Sequence, residues 1–233
     1  MTAPTARGEA DRLEATAVRP AETPWVSDFA MRALDIVGAA VLLLLLSPFL
    51  LAVAILVRLD SRGPAIFRQE RIGRNLRPFK VAKFRTMRNG VPADPHRAHV
   101  EEMIREEAYA NGELKPMRKL KADPRITKIG GFLRRTSIDE LPQLWNVLRG
   151  DMSLVGPRPP IRYEVDRYPA RAFRRFAVRP GVTGLWQVSG RSLVTFKEMI
   201  ELDTDYVERR SLVLNLKILV LTVPTVLHGK GAE

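Results

Sequence analysis

The run from Ile36 to Val57, IVGAAVLLLLLSPFLLAVAILV, constrains this chain more than any other stretch, because it carries no charge. It matches the roughly 20 apolar residues that cross the hydrocarbon core of a bilayer. Ser47-Pro48 sits at its centre. Proline removes a backbone donor and crowds the carbonyl four residues before it. A neighbouring serine hydroxyl can take up a backbone group freed in this way. Two topologies are open: a kinked helix that spans, or a helix bent at Ser47-Pro48 that returns both ends to one face. Charge orients either one. Arg32 precedes the run while Arg58, Arg62, Arg68, Arg71 and Arg74 come after it, which makes that later side cytoplasmic.

Before the run, residues 1–24 mix Ala, Thr, Pro and Glu with scattered Arg and show no apolar period. They read as a disordered tail and lack the pattern of a secretory signal. After it, AIFRQERIG and FKVAKFRTM alternate apolar and polar residues around Gly73-Arg74-Asn75, the pattern of a small β-hairpin. Residues 92–118 read as a charged helix closed by Asn111-Gly112. His96 and His99 share a face of it, but no third ligand accompanies them, and they read as an exposed pair.

Charge narrows the partners. A formal net charge of +12 asks for a polyanion, whether nucleic acid, anionic lipid or a phosphorylated substrate. Aromatic residues make up only 7% of the chain and do not alternate with the basic ones, and no nucleic-acid-binding motif appears. Membrane surface and phosphate therefore rank ahead of nucleic acid. With no cysteine in the chain, disulfides, thiolate metal sites and cysteine nucleophiles are excluded.

The densest chemistry lies in residues 133–159, LRRTSIDELPQLWNVLRGDMSLVGPRP. Ser137-x-x-Glu140 fits a capping box, which would make Glu140 structural. Pro142 argues against a regular first turn and favours a helix formed only from Leu141 onward, with Leu141, Leu144, Trp145 and Leu148 as its buried stripe. Asp139 and Glu140 stand beside the helix start in either register. As neighbours they cannot project alike, so different roles are expected: one carboxylate to attack or accept a proton, the other to hold a divalent cation. Magnesium suits hard oxygen ligands, typically one or two carboxylates plus substrate phosphates. Arg134, Arg135, Arg158, Arg179 and Arg191 can bind further phosphate charge. The residues alone thus indicate membrane-seated, metal-assisted phosphate chemistry. Downstream, KEMIELDTDYVERR reads as a helix, and the last apolar helix either packs on the core or lies in the membrane interface.

Four strings, KFRTM (83–87), DPRITKIG (123–130), TSIDELPQLWNVLRGDMSLVGPRP (136–159) and PGVTGLWQVSGR (180–191), resemble the bacterial sugar transferases, the small monotopic polyprenyl-phosphate phosphoglycosyl transferases. The resemblance runs from about residue 28 to the end. It implies an α/β, mainly α fold in which residues 1–27 are tail and 28–60 form a re-entrant membrane helix broken at Ser47 and Pro48. Residues 61–233 would then be a compact catalytic domain on the cytoplasmic face of the bacterial inner membrane, with interfacial helices and the small hairpin. It further implies a ping-pong reaction. Asp139 attacks the β-phosphorus of a UDP-sugar and releases UMP, and polyprenyl (undecaprenyl) phosphate takes up the phosphosugar. Glu140 matches the family's carboxylate for Mg2+, and Lys83, Arg85, Arg158, Gln187 and Arg191 fall in motifs on the substrate side. The partners implied are UDP-sugar, polyprenyl phosphate and membrane lipids, without nucleic acid and compatible with a homo-oligomer. Gly131 stands where a basic residue is common and Asn215 where an aspartate is common, which questions local packing or sugar contacts. The extra membrane helices and domain of larger relatives are absent, so the minimal form is expected. The rival reading, a non-catalytic membrane-tethered basic adaptor, expects Asp139→Asn to leave function unchanged.

Overall fold

The apolar run folds as part of one helix, α1 (Trp25–Asp60), that continues through Pro48. It is the one helix among the described residues long and apolar enough to cross a membrane. The computed structural model describes residues 25–88, 125–166, 168–190 and 194–227. The readings of residues 1–24, of the 92–118 helix with His96 and His99, and of Arg191 lie outside the described residues. Pro48 has no N–H to offer the carbonyl of Leu44, four residues back. The Ser47 hydroxyl donates to that same carbonyl at 2.8 Å. The serine thus replaces the hydrogen bond that the proline removes. Around this point Leu44, Leu45, Phe49 and Leu51 face outward.

Both ends of α1 dock on the body of the protein. At the first end Arg32 donates to the carbonyls of Val147 and Leu148 at 2.8 and 3.1 Å. Asp35 accepts from the Ser153 hydroxyl and the Leu154 amide, each at 2.8 Å. At the other end Val53 and Val57 pack with Phe84 and Leu133, and the Ile129 amide donates to Asp60 at 3.2 Å. Between these anchors one side of the helix carries the outward leucines.

The predicted hairpin forms from β1 (Ile66–Ile72) and β2 (Pro78–Phe84), paired antiparallel with Phe67 opposite Lys83 and Arg71 opposite Phe79. Its turn runs through Asn75 and Leu76, both at positive φ. Next come α2 (Lys128–Arg135), a 3₁₀ turn (Ile138–Glu140), α3 (Gln143–Arg149) and β3 (Ser153–Val155). After these are α4 (Arg162–Val165), a 3₁₀ segment (Ala170–Ala177), β4 (Gly181–Thr183), α5 (Leu185–Ser189), α6 (Phe196–Arg209) and α7 (Leu212–Leu227). The fold is mainly helical, with a second two-stranded sheet in which β3 and β4 run parallel. Their close approach requires glycine: a Cβ on Gly181 would lie 2.1 Å from the Gly156 nitrogen.

A central core joins Ala39 of α1, Val81 of β2, Leu144 and Val147 of α3, Met152, Leu154, Tyr206 and Ile218. A second, aromatic cluster gathers Tyr168, Phe173, Phe176 and Phe196. The last helix packs on the core and also keeps an apolar outer face. It buries Asn215 and Ile218 against the core yet leaves Val213, Val220 and Val223 exposed, an apolar face of the kind that lies in a membrane interface. Asn215 accepts from the Tyr206 hydroxyl at 2.8 Å inside the core, so this departure from the family pattern concerns packing. At Gly131 the nearest heavy atom to an added Cβ is 3.8 Å away, leaving ordinary room for a larger residue.

Candidate active site

The chain enters the dyad turn through Ser137, whose φ of 57° is left-handed, a conformation that costs a non-glycine residue roughly 1–2 kcal/mol. From there successive i to i+3 bonds hold the backbone: Glu140 N to Ser137 O at 3.1 Å, Leu141 N to Ile138 O at 3.2 Å and Leu144 N to Leu141 O at 3.1 Å. Pro142 precedes the first residue of α3; without an N–H it cannot extend a regular helix backward. The capping box that the Ser137-x-x-Glu140 spacing allows does not form, since the Ser137 side chain makes no capping bond. Glu140 turns instead to Lys83 of β2, with Oε1 2.7 Å from Nζ.

The tight turn gives the neighbouring carboxylates different surroundings. Asp139 is buried, 9% exposed, while the Glu140 side chain is 39% exposed beside Lys83. Ile138, next to Asp139, packs against the cluster of Val53, Val57, Phe84 and Leu133. The dyad therefore lies beside the cluster on which one end of the apolar helix docks.

The stripe expected on α3 needs correction. Trp145 is 57% exposed, and the buried face is Gln143, Leu144, Asn146 and Val147. Asn146 serves as a partner for the hairpin, accepting from the Ala82 amide at 2.9 Å and donating to the Lys80 carbonyl at 2.8 Å. An apolar period cannot register an amide buried for this purpose. At the far end of α3, Gly150 adopts a φ of 88°, the left-handed cap for which glycine is suited. Arg179 donates to its carbonyl at 2.9 Å. Arg179, read from sequence as a phosphate ligand, thus caps the helix end opposite the dyad.

Of the other predicted residues, Lys83 is brought to Glu140, and Arg85 is buried at the end of α1. There Arg85 Nη2 donates to the carbonyls of Val57 and Ser61 at 3.2 and 2.5 Å, and its Nε and Nη1 are buried without hydrogen-bond partners. Arg158 lies in the Pro157–Pro160 turn, half-buried. Gln187 is on α5, where its Oε1 and the Nε1 of neighbouring Trp186 are buried and unpartnered.

Arg71 is a buried cation near these residues that sequence reading passed over, having counted it only toward charge orientation. It is buried, donates to Gln69 Oε1 at 2.8 Å and to the Pro159 carbonyl at 3.1 Å. Burial, and after it the positive charge of Arg158, lower its pKa to about 10, while Glu140 acts in the opposite sense. Arg71 is therefore within electrostatic reach of both Arg158 and Glu140. The available signal was its inward phase in β1, on the face shared with Gln69.

Among the described residues no three acidic, histidine or cysteine side chains converge as a metal site. That donor set still fits magnesium, which is commonly held by one or two carboxylates with substrate phosphates and water completing its shell. Glu140 is the residue that would hold it, with Asp139 beside it.

The family model described as bacterial sugar transferase matches residues 26–229. The chain is 47% identical over 206 residues to the galactosyl transferase CpsE of Streptococcus agalactiae, covering 88% of this chain and 43% of that protein. To the exopolysaccharide production protein ExoY of Rhizobium meliloti it is 41% identical over 219 residues, covering 94% and 92%. With the UDP-glucose:undecaprenyl-phosphate glucose-1-phosphate transferase of Caulobacter vibrioides the identity is 42% over 213 residues, covering 88% and 72%. The chain thus spans less than half the length of the streptococcal relative but nearly all of ExoY. A match that runs from the apolar helix through both turns of the site to the last helix places the chain in the bacterial sugar transferase family.

Proposed function

We propose that this protein transfers a sugar-1-phosphate from a UDP-hexose to polyprenyl phosphate, releasing UMP, at the cytoplasmic face of the bacterial inner membrane. The observation that carries the reading is that Ile138, next to Asp139, packs against the cluster that also docks Val53 and Val57 of the apolar helix. A soluble nucleotide sugar and a lipid phosphate must meet at one group, and this carboxylate lies where they can. Relatives named for galactosyl and for UDP-glucose transfer are 47% and 42% identical to the chain, which supports a hexose donor without selecting one.

In the first step a carboxylate oxygen of Asp139 attacks the β-phosphorus, and the bond from that phosphorus to the bridging oxygen breaks. The oxygen and its electron pair leave with UMP, and the sugar phosphate stays on Asp139 as an acyl phosphate. In the second step a phosphate oxygen of the polyprenyl phosphate attacks the same phosphorus. The bond to Asp139 breaks, the carboxylate returns, and the product is a polyprenyl diphosphate sugar. Arg158 binds the diphosphate charge, for which a guanidinium fork is suited. Magnesium, when bound, neutralises phosphate charge beside Asp139 and Glu140. Lys83 orients Glu140, and Trp186 Nε1 and Gln187 Oε1 offer a donor and an acceptor to a polar ligand.

The same reading makes α1 re-entrant. Its support is that Arg32 and Asp35 at one end, and Val57 and Asp60 at the other, bind a single body. A spanning helix would hold its ends about 30 Å apart across hydrocarbon. The test of the reaction is UMP release from a panel of UDP-sugars with polyprenyl phosphate and magnesium, comparing wild type with Asp139→Asn. Release with a hexose, lost in the variant, is expected; equal release by the variant contradicts it.

A further inference from the structure

We propose that Asp203 and Tyr168, acting through Arg175, are positioning residues that fix Arg158 in the place from which it binds the donor diphosphate. The inference rests on the reading of Arg158 given above. Every position of the Pro157–Pro160 turn besides Arg158 is proline, so the turn has little means of holding itself by its own N–H groups. Its carbonyls are held from outside. Pro157 O accepts from Gly181 N and Pro160 O from Ile72 N, each at 2.9 Å. Pro159 O accepts from Arg71 at 3.1 Å. The carbonyl of Arg158 itself accepts from Arg175 Nη2 at 2.9 Å.

Arg175 is in turn held by Asp203 and Tyr168, while its Nε is buried without a hydrogen-bond partner. Its Nη2 donates to Asp203 Oδ2, its Nη1 donates to the Tyr168 hydroxyl at 2.7 Å, and its guanidinium lies 5.2 Å from the Tyr168 ring centre. The Arg175 and Asp203 side chains are each 1% exposed, within an otherwise aromatic and apolar cluster. A buried ion pair is seldom worth more to stability than well-packed apolar residues of the same size. Among the described residues, the hydrogen bond that this pair makes outside its cluster is to the Arg158 carbonyl. Burial pushes the Asp203 carboxyl up to about 6, against the opposing charge of Arg175.

The test uses the full chain reconstituted in membranes. Asp203→Asn and Tyr168→Phe are made singly and in an Arg158→Ala background, with kcat/KM for UMP release and Tm measured for each. Misplacing a binding group by about 1 Å can cost about 100-fold. The expected loss is about 10- to 100-fold for Asp203→Asn and about threefold for Tyr168→Phe. In the Arg158→Ala background either substitution lowers kcat/KM by less than about twofold, because coupled residues are not additive. Hydrogen exchange gives a second readout, since the Arg158 amide is the only one in Pro157–Pro160: it exchanges faster in both variants.

Equal losses in the two backgrounds, tracking Tm, overturn the proposal and leave the triad a structural element. If Asp203→Asn does not fold, the Tyr168→Phe cycle decides alone. If the wild type releases no UMP from any sugar, the reaction proposed above fails. The Arg158 amide then still decides on the clamp: faster exchange supports it and unchanged exchange overturns it.

Discussion

Two stretches of this chain carry the same capping signature, Ser137-x-x-Glu140 and Thr195-x-x-Glu198, and they fold differently. At Thr195 the box forms in full. The Glu198 amide donates to the threonine hydroxyl at 3.1 Å, and the Thr195 amide donates to the Glu198 carboxylate at 2.7 Å. At Ser137 there is no capping bond, φ is left-handed, and the glutamate pairs with Lys83. The next residues in the chain and the groups packed nearby separate the two. Phe196 and Met199 let α6 start at once and bury its face, whereas Pro142 holds α3 off until Gln143. Lys83 reaches Glu140 from a strand far away in sequence. A local rule is obeyed where it serves stability and overridden beside the proposed nucleophile, where such conflicts are expected.

The largest effect should come from Asp139 itself. Asp139→Asn is expected to lower UMP release by about 10⁴-fold or more, the scale on which removal of a nucleophile is felt, with Tm unchanged. The two glutamates should then separate cleanly. Glu140→Gln breaks the pair with Lys83 and lowers kcat by about 100-fold, and Glu198→Gln leaves kcat within about twofold. Comparable losses in activity for both would show that the two turns do not differ in function. Pro142→Ala is the substitution most apt to erase the contrast. By permitting a regular first turn it draws Glu140 back toward the Ser137 amide, and UMP release should fall about tenfold, recovering when proline is restored. Smallest are the effects on stability. Thr195→Ala should cost about 1 kcal/mol through the lost cap, read in denaturant melts, whereas Ser137→Ala, with no cap to lose, should leave the midpoint where it was.

Much of this architecture can be read from sequence because its signals are local. The charge-free run, the alternation of the hairpin strands and the glycine at the end of α3 each depend on residues close together. So do the adjacency of Asp139 and Glu140 and the rigidity of the Pro-Arg-Pro turn. The features that escape are set by distant partners. Trp145 lies in phase with Leu141 and Leu148 and still faces outward, because Asn146 is required by the edge of β2. Arg71 reads in sequence as one more basic residue near lipid, yet β1 turns it inward toward Pro159. The Arg175–Asp203 pair joins a 3₁₀ segment to α6, and nothing in either segment alone reports the other. The parallel pairing of β3 with β4 is likewise invisible to periodicity over such short strands.

The central claim is that Asp139 carries the sugar phosphate between the two substrates, and the most direct measurement is its mass. The wild type, reconstituted in membranes, is incubated with the UDP-hexose that supports UMP release, without polyprenyl phosphate, then quenched and mapped by peptide mass spectrometry. The account predicts UMP in a burst and a hexose phosphate on the peptide containing Asp139, lost on adding polyprenyl phosphate and never seen in Asp139→Asn. UMP release that requires polyprenyl phosphate, with no adduct on that peptide, would contradict it and point to direct transfer between two bound substrates.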